Sequence, residues 1–244
     1  MPKRHVTAGA TAAMAVLALA ILLQAALQPH YLAVNSIDVK AVLPDPPTAG
    51  SPEVADEIAL VLRLQENRTQ AAIDRCLAED KFSVFAFSTE LGSWFTPQNC
   101  PQTAALFKRI ESDAKVFGRA AKEHWQRPRP PLTDPRIKPI VPMDKESSYP
   151  SSHATRGVLY AEILAQLFPE KRAALVAHGQ SIGWDRVIAG VHHPSDIFGG
   201  RTLGHALAGH MLAASDFQID LAAVKQELEH AANALRAPEP AHAN

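Results

Sequence analysis

The sequence has almost no excess charge of either sign. Its 24 Lys and Arg residues are balanced by 25 Asp and Glu residues, and the formal net charge is −1. Such a chain has no overall attraction for nucleic acid or for an anionic surface. Nucleic-acid binding is therefore not expected, and a basic site must be local. Aromatic residues are scarce as well, at 6%. Alanine is abundant instead, which favours helices packed through small side chains.

Other absences narrow the fold. No stretch of useful length alternates apolar with polar residues, as a half-buried strand would. No segment is repeated, and after residue 28 no run is both long and uncharged enough to cross a bilayer. The 244 residues, 47% of them hydrophobic, suffice for one good-sized domain or at most two small ones. We predict an all-α fold, a single compact helical domain.

The N-terminus is typical of a targeting segment. A basic start, Lys3-Arg4-His5, precedes an uncharged apolar run over residues 8–27, which is the layout of a secretory signal. The run is also about as long as a membrane span, and no clear cleavage site follows it. Residues 1–28 are thus predicted to be a signal peptide or an uncleaved membrane anchor. The remainder is predicted to be periplasmic or secreted.

Cysteine is limited to two residues, Cys76 and Cys100. In an oxidising compartment, a lone pair within one domain usually forms a bridge. Closing a loop of this length stabilises a fold by ~3 kcal/mol. Two thiols without neighbouring ligands do not make a metal site. We predict a Cys76–Cys100 disulfide and no metal, with two buried free thiols as the alternative.

Proline and capping residues divide the rest of the chain. Residues 29–50 are rich in proline and are predicted to be an extended segment. Helical signals then recur over residues 51–236, and residues 237–244 are predicted to be a disordered tail. Glycine is expected to permit close helix packing at Gly199, Gly200, Gly204 and Gly209.

Helix starts are marked by Ser51, Thr69 and Pro101. The third of these helices should continue to about Arg127, and the proline-rich residues 128–142 should form a loop. Further helices are predicted over residues 153–168, 170–188, 195–214 and 217–235.

Two basic residues follow each other closely at the end of the third helix. Lys122 and Arg129 are seven residues apart, close to two helical turns, so both side chains can project from one side. A guanidinium fork and a lysine charge together can hold the oxygens of a phosphate. Taken alone, the pair is equally consistent with a solvated helix face.

The segment Pro150-Ser151-Ser152-His153 stands at a predicted loop-to-helix junction. Unpaired N–H groups at a helix N-terminus can hold an anion, and a serine adds a hydroxyl donor. His153 places a titratable group beside that position. The alternative is an ordinary serine cap.

A third segment contains Arg186, His192 and Asp196. His192 and Asp196 are four residues apart, so on a helical turn the carboxylate can reach the imidazole. An aspartate bound to one ring nitrogen selects the tautomer and leaves the other nitrogen free to attack. Arg186 can return to the same centre if the chain turns at Gly190.

Together, the order and spacing of these segments resemble the three-part signature of the type 2 phosphatidic acid phosphatase superfamily. The likeness is greatest to the secreted bacterial class A non-specific acid phosphatases. It extends to Leu43-Pro44, to the stretch from Phe87-Ser88 to Gly92 and to Lys122-Glu123-His124. The resemblance therefore covers nearly the whole mature chain and implies the helical fold shared by these phosphatases and the vanadium haloperoxidases.

The resemblance also implies a role for each residue of the signature. His192 would attack phosphorus and form a phosphohistidine, Asp196 would orient it, and His153 would protonate the leaving oxygen. Phosphoryl oxygens would be bound without a metal or other cofactor by Lys122, Arg129, Ser151, the backbone N–H of Ser152 and Arg186.

The chain departs from the family pattern at two positions. Ser152 replaces a glycine, so its side chain is expected to narrow the pocket, and a positive φ there would be strained. Asp185 replaces a serine, and its carboxylate is expected to pair with Arg186 or to compete with phosphate. Both expectations concern rate and substrate range, since no charged or catalytic group is lost.

The resemblance implies a phosphomonoester hydrolase that acts on small phosphomonoesters. One alternative is a membrane-associated lipid phosphate or diphosphate phosphatase, and another is a phosphate-binding homologue with little activity. Vanadium haloperoxidases share the pocket but are much longer chains. A homo-oligomer is left open.

Overall fold

The structure is a computed structural model that describes residues 29–234. The predicted signal or anchor (1–28) and the predicted tail (237–244) lie outside the described residues. Within residues 29–234 the chain forms helices and no strand, which confirms the all-α prediction. None of the helices in this part of the chain is both long enough and apolar enough to span a bilayer.

Ten α-helices and two short 3-10 helices make up the described part of the chain. The α-helices are α1 (Val39–Val42), α2 (Pro52–Glu66), α3 (Gln70–Ala78), α4 (Ser88–Leu91), α5 (Pro101–Trp125), α6 (Pro130–Thr133), α7 (Ser152–Leu167), α8 (Arg172–Ile188), α9 (Pro194–Ala213) and α10 (Ser215–Ala234). The 3-10 helices are Val84–Phe87 and Pro169–Lys171.

The predicted start signals work as expected. The Ser51 side chain accepts a hydrogen bond from the backbone N–H of Val54, and the Thr69 side chain accepts one from Ala72. Pro101 is the first residue of α5. That helix ends at Trp125 because Gln126 adopts a left-handed conformation, with φ of 45°.

α7 is the central helix, and it packs chiefly against α8 and α9. Small residues allow these backbones to approach closely. A Cβ atom on Gly179 of α8 would overlap the carbonyl oxygen of Gly157 on α7. On α9, Cβ atoms at Gly200 and Gly204 would lie 2.6 Å from backbone oxygens of α7. This packing brings the N-terminus of α7, the C-terminus of α8 and the N-terminus of α9 to the same end of the domain.

The same kind of contact tests the prediction of close packing for the other two glycines, Gly199 and Gly209. Gly199 lies against the ring of Tyr149, so close packing is confirmed there as at Gly200 and Gly204. It is wrong for Gly209, which is exposed and has no heavy atom within 4 Å of an added Cβ.

Residues 29–50 are irregular apart from the single turn of α1, but they do not form a separate extended segment. Aliphatic side chains of this segment, Leu32, Ile37, Val39 and Leu43, are buried in the main core. The carboxylate of Asp113 on α5 accepts backbone N–H bonds from His30, Tyr31 and Leu32. Burial of apolar side chains and this carboxylate together hold the segment against α5.

The predicted Cys76–Cys100 disulfide is not formed. Both residues are buried free thiols. Cys76 packs in a small cluster with Val141 and Ala189, whereas Cys100 belongs to the main core. The Cys76 thiol donates to the carbonyl oxygen of Asp185 at 3.3 Å. Burial raises the pKa of Cys76 to about 11, which keeps the thiol protonated.

The α7–α8 contact predicts a large effect of one added methyl group. We expect Gly179→Ala to lower the free energy of unfolding by ~1–3 kcal/mol, because the new Cβ would overlap Gly157 and approach Ala161 Cβ to 2.8 Å. The matched control is Gly209→Ala, which meets open space and should stabilise α9 by up to ~1 kcal/mol. Urea unfolding midpoints compare the two, and equal midpoints for Gly179→Ala and wild type would contradict the close packing.

Candidate active site

The helix ends that meet at one end of the domain carry the residues of the three predicted segments. The backbone N–H of Ser151, at the start of α7, donates to the carbonyl oxygen of Asp196 at 3.0 Å. α8 ends at Ile188, and the turn that follows leads to His192. The turn uses Gly190, whose φ of 81° suits glycine.

His192 and Asp196 form the predicted contact, although His192 precedes the helix rather than lying on it. Its Nδ1 atom is 3.1 Å from Asp196 Oδ2. Asp196 is the third residue of α9 and also accepts the backbone N–H of His193 at 2.8 Å. Its carboxylate therefore caps the helix and contacts the imidazole at the same time. Both side chains are buried.

Further donors surround the Asp196 carboxylate. The Ser148 hydroxyl donates to Oδ2, and Arg127 Nη1 donates to Oδ1 at 2.6 Å. Burial opposes ionisation, but the hydrogen bond from His192 and the charge of Arg127 hold the pKa of Asp196 below its usual range. The carboxylate is therefore ionised across the physiological range of pH.

The surroundings of His192 favour its neutral form. Burial lowers its pKa, and the charges of Arg129 and Lys122 act in the same direction against the opposing contact with Asp196. With the Nδ1 proton directed to Asp196, Nε2 keeps its lone pair. Arg129 Nη1 lies 3.2 Å from that Nε2 atom. A neutral imidazole is thus held with one nitrogen oriented and the other facing a cation.

Three cations, Lys122, Arg129 and Arg186, are buried at this end of the domain. The alternative of a solvated helix face is therefore wrong for Lys122 and Arg129. Lys122 Nζ donates to the Ser147 carbonyl at 2.6 Å, and Arg129 donates to the carbonyls of Val191 and Glu146 at 3.0 Å.

These cations are only partly neutralised by acids. Arg186 Nη1 lies 3.1 Å from Asp80 Oδ1, while its buried Nε has no partner. Asp144 is 3.6 Å from Arg129 and is largely exposed. Burial, and then the charge of Arg129, lower the pKa of Lys122 to about 8. An anion among the three cations would relieve this strain on the lysine charge.

The start of α7 supplies the remaining predicted residues. The buried Ser151 side chain caps the helix, 3.4 Å from the backbone N–H of Ala154. The expected strain at Ser152 is absent, since this residue begins the helix and Gln126 is the non-glycine residue with positive φ in residues 29–234. Its side chain lines the neighbouring cleft, as the expected narrowing requires.

His153 lies deeper than Ser152 and contacts other residues than His192 does. Its Nε2 atom is 3.1 Å from the carbonyl oxygen of Asp80, and its ring packs against Phe82. Burial, and then the charge of Arg186, lower the pKa of His153 well below its usual range. Beside these cations the imidazole is neutral.

The expectation that Asp185 would pair with Arg186 or compete with phosphate is wrong. Asp185 instead forms a two-pronged pair with Arg75 on α3, at 2.5 and 2.8 Å. The helix directs successive side chains to different sides, so Asp185 and Arg186 serve different neighbours. Burial and the adjacent Asp185 raise the pKa of Glu79 to about 8. The carboxylate at position 185 is therefore engaged away from Arg186.

Sequence reasoning missed Arg127, Ser148 and Asp80. Arg127 contacts Asp196, Ser148 contacts the same carboxylate, and Asp80 contacts Arg186 and His153. For Arg127 a signal was present, because Arg127-Pro128 repeats the pattern of Arg129-Pro130. Ser148 and Asp80 lie in loops without a distinctive local pattern.

Two clefts reach the cluster from the surface. One, of about 410 Å³, is lined by Ser152, His153, Thr155 and Arg156 among others. The second, of about 750 Å³, is lined by Lys122 and Arg129. Asp144, Lys145 and Glu146 line both clefts, so this loop separates them. His153 on one side of this loop, and Lys122 and Arg129 on the other, are thus within reach of small molecules.

Comparisons with known proteins identify the family of this chain. The family model described as PAP2 superfamily matches residues 103–220. A non-specific acid phosphatase of Providencia stuartii is 31% identical over 203 residues, which are 79% of this chain and 82% of that protein. An acid phosphatase of Zymomonas mobilis is 31% identical over 206 residues, covering 81% of this chain and 78% of the relative.

A solved structure of a bacterial vanadium-dependent iodoperoxidase shares the fold. It matches with a TM-score of 0.59 at 15% identity, over 75% of this chain and 53% of its own. The fold is thus the helical one common to PAP2 phosphatases and vanadium haloperoxidases. The sequence relatives carry the assignment further: the chain belongs to the PAP2 superfamily and, within it, to the acid phosphatases.

The depressed pKa of His192 predicts acid sensitivity of the fold. Below about pH 6.5 the unfolded chain binds a proton at this histidine and the folded chain does not, so stability decreases as the pH falls. We expect His192→Gln to reduce the slope of unfolding free energy against pH between 4.5 and 6 by up to ~1.4 kcal/mol per pH unit. Urea titrations measure this slope. His230→Gln, at an exposed position, is the control, and an unaltered slope in His192→Gln would show that His192 is protonated in the fold.

Proposed function

We propose that this protein is a phosphomonoester hydrolase, a non-specific acid phosphatase that works through a phosphohistidine intermediate on His192. One observation carries the proposal: the neutral imidazole of His192, oriented by Asp196, directs Nε2 toward a cluster of buried cations. A nucleophilic histidine must be neutral, and the phosphoryl group that it attacks carries negative charge. Both requirements meet at this nitrogen.

The phosphoryl group would bind between Lys122, Arg129 and Arg186. In the structure, the first two donate to carbonyl oxygens, and Arg186 Nε has no partner. A phosphate dianion is a stronger acceptor than a carbonyl and would take these donors. Ser151 and the backbone N–H of Ser152, at the positive end of α7, would complete the binding. The charges are in place before the substrate arrives, which is the condition for electrostatic catalysis.

Transfer would proceed in line. The Nε2 lone pair of His192 forms the P–N bond while the bond between phosphorus and the leaving oxygen breaks, and His153 gives its proton to that oxygen. Burial and the charge of Arg186 hold His153 neutral, so it needs a proton from solution at mildly acidic pH. The negative charge of a bound phosphate favours that protonation. The site therefore suits operation below neutrality.

Hydrolysis would reverse the roles. Neutral His153 takes a proton from water, the water oxygen bonds to phosphorus, and the P–N bond breaks to return the lone pair to His192. The Nδ1 proton stays on His192 throughout, because the ionised Asp196 accepts it as a hydrogen bond and stabilises the charge that develops on the ring. Inorganic phosphate leaves, His153 releases its proton to solution, and the resting site is restored.

We propose further that no metal ion takes part. The charge that a metal would provide is supplied by one lysine and two arginines. Within residues 29–234, no three His, Cys, Asp or Glu side chains are grouped as a metal site would need.

A basic start followed by an apolar run at the N-terminus supports export, so a periplasmic or secreted location belongs to the same proposal.

Removal of the nucleophile tests the mechanism directly. We expect His192→Ala to lower phosphatase activity by roughly 10³-fold or more, because the covalent route is lost. Wild type quenched in alkaline denaturant, in which a P–N bond survives, should carry phosphate on histidine after brief exposure to labelled substrate. Vanadate should inhibit and a chelator should not.

The control is His230→Ala, at an exposed position, which should behave as wild type. Full activity in His192→Ala would refute the covalent mechanism. A wild-type protein that binds phosphate without hydrolysing any monoester would show instead that the cluster is a binding site.

The proposed role of His153 predicts a dependence on the leaving group. We expect His153→Ala to slow hydrolysis of an alkyl phosphate such as glycerol phosphate by about 10²–10⁴-fold, since an alkoxide leaves poorly without a proton. Hydrolysis of p-nitrophenyl phosphate should suffer far less, because nitrophenolate needs no acid. The ratio kcat/KM on the two substrates measures this difference, because it reports phosphoryl transfer and not the hydrolysis step that both substrates share, and equal losses of kcat/KM on both would exclude His153 as the acid.

A further inference from the structure

Four side chains form a chain of contacts that begins on α2 and ends at His192. Glu57 Oε2 accepts from Arg127 Nη2 at 2.6 Å. Arg127 Nη1 donates to Asp196 Oδ1 at 2.6 Å, and Asp196 Oδ2 lies 3.1 Å from His192 Nδ1. The exposed fraction is 12% for the Glu57 side chain, 6% for Arg127 and 0% for Asp196. The guanidinium thus joins two largely buried carboxylates.

The two oxygens of Asp196 have different tasks. Oδ2 faces His192 and also receives the backbone N–H of His193 and the Ser148 hydroxyl. Oδ1 is held by Arg127. If that partner were missing, a buried carboxylate oxygen would be left without a hydrogen bond, which is costly. The group would then rotate or take up a proton, and either change would withdraw Oδ2 from His192.

Glu57 fixes the guanidinium in turn. One Glu57 oxygen binds Arg127, and the other accepts the backbone N–H of Ser195 at 2.7 Å. Arg127 also donates to the Ser195 hydroxyl at 2.7 Å. The planar guanidinium of Arg127 donates to three acceptors at once. A lysine ammonium has a single nitrogen and does not reproduce this geometry. The position of Arg127 is therefore set from α2 and from the start of α9 together.

We infer that Arg127 is a positioning residue for the reaction, which holds Asp196 so that its Oδ2 atom orients the His192 nucleophile. The inference rests on the proposed function of His192. Arg127 lines the cleft beside Lys122 and Arg129, but its two guanidinium nitrogens are engaged by Glu57, Ser195 and Asp196. It therefore acts through Asp196, whereas Lys122 and Arg129 are proposed to bind the phosphoryl group.

A double-mutant cycle tests this route. We expect Arg127→Met to lower kcat by roughly 10- to 100-fold with little change in KM, as loss of a group that orients a histidine does. In an Asp196→Asn background the same substitution should change kcat by less than about threefold, because the carboxylate on which Arg127 acts is already gone. Losses that multiply in the double variant would overturn the inference.

Two further variants separate positioning from general stability. Arg109→Met removes an arginine of α5 that is paired with Asp220 at 2.8 Å, and should lower the unfolding midpoint without altering kcat. Arg127→Lys keeps the charge but not the fork, so it should recover part of the rate. Circular dichroism confirms that each variant is folded. Equal kcat losses in Arg109→Met and Arg127→Met would assign Arg127 a structural role only.

The pH profile gives a second readout. The charged and titratable groups around Asp196 are His192, His193, Arg127, Arg129, Lys122 and Tyr149. Removing one positive charge makes the Asp196–His192 pair accept a proton more readily. The acidic limb of kcat/KM should therefore move to higher pH in Arg127→Met and stay near its wild-type position in Arg127→Lys. An unmoved limb in Arg127→Met would contradict the inference.

An activity-independent measurement distinguishes this inference from the proposed function. Nitrogen-15 NMR of the histidine rings, assigned with His192→Gln, reports the tautomer of His192. We expect the Nδ1–H form in wild type from pH 5 to 7.5, and a mixture or a protonated ring in Arg127→Met. If the wild type hydrolyses no phosphomonoester, the proposed function fails, yet the spectra still decide whether Arg127 positions His192. Identical spectra for both proteins would overturn the inference.

Discussion

The carboxylate of Asp196 is the contact on which the arrangement of this end of the domain depends. It receives donors from His192, His193, Ser148 and Arg127, and so joins the turn before α9, the loop before α7 and the segment after α5. A buried carboxylate requires such partners, because an unpaired charge in the interior is unstable. The same requirement that secures the fold also orients the imidazole. Folding and chemistry are therefore coupled through one side chain.

Buried cations impose the complementary constraint. Lys122 and Arg129 donate hydrogen bonds to carbonyl oxygens. Arg186 pairs with Asp80 through Nη1, while its own buried Nε has no hydrogen-bond partner among the described residues. Carbonyl dipoles satisfy hydrogen bonds but cancel little charge, so the cluster retains positive potential inside the protein. Full pairing with acids would have produced a more stable but inert interior. A bound anion would neutralise the positive charge that remains. The buried cations, which are unfavourable for the stability of the fold, therefore lie where binding is proposed.

Local signals were sufficient to predict the helices, whereas the residues of the signature were predicted only from the order and spacing of three segments taken together. Ser51, Thr69 and Pro101 start helices through interactions within one turn, which a sequence displays directly. The contacts of Arg127 and Asp80 were not predicted because their partners lie about 70 and 106 residues away in the sequence. The predicted Cys76–Cys100 disulfide was wrong for the same reason. Disulfide formation depends on the cluster in which each thiol packs, and the two thiols pack in different clusters. Long-range partners of buried charges are set by packing, not by spacing.

The departures from the family pattern acquire a different meaning in the structure. Ser152 begins α7 in a helical conformation, so the serine introduces a side chain into the cleft beside His153 but no backbone strain. Asp185 is paired with Arg75, and burial together with the adjacent Asp185 raises the pKa of Glu79 to about 8. The Asp185 carboxylate is thus paired with Arg75 and does not neutralise Arg186. Because the Asp185 carboxylate is paired between α3 and α8, the change at this position leaves the charge of Lys122, Arg129 and Arg186 intact, whereas Ser152 lines a cleft beside His153.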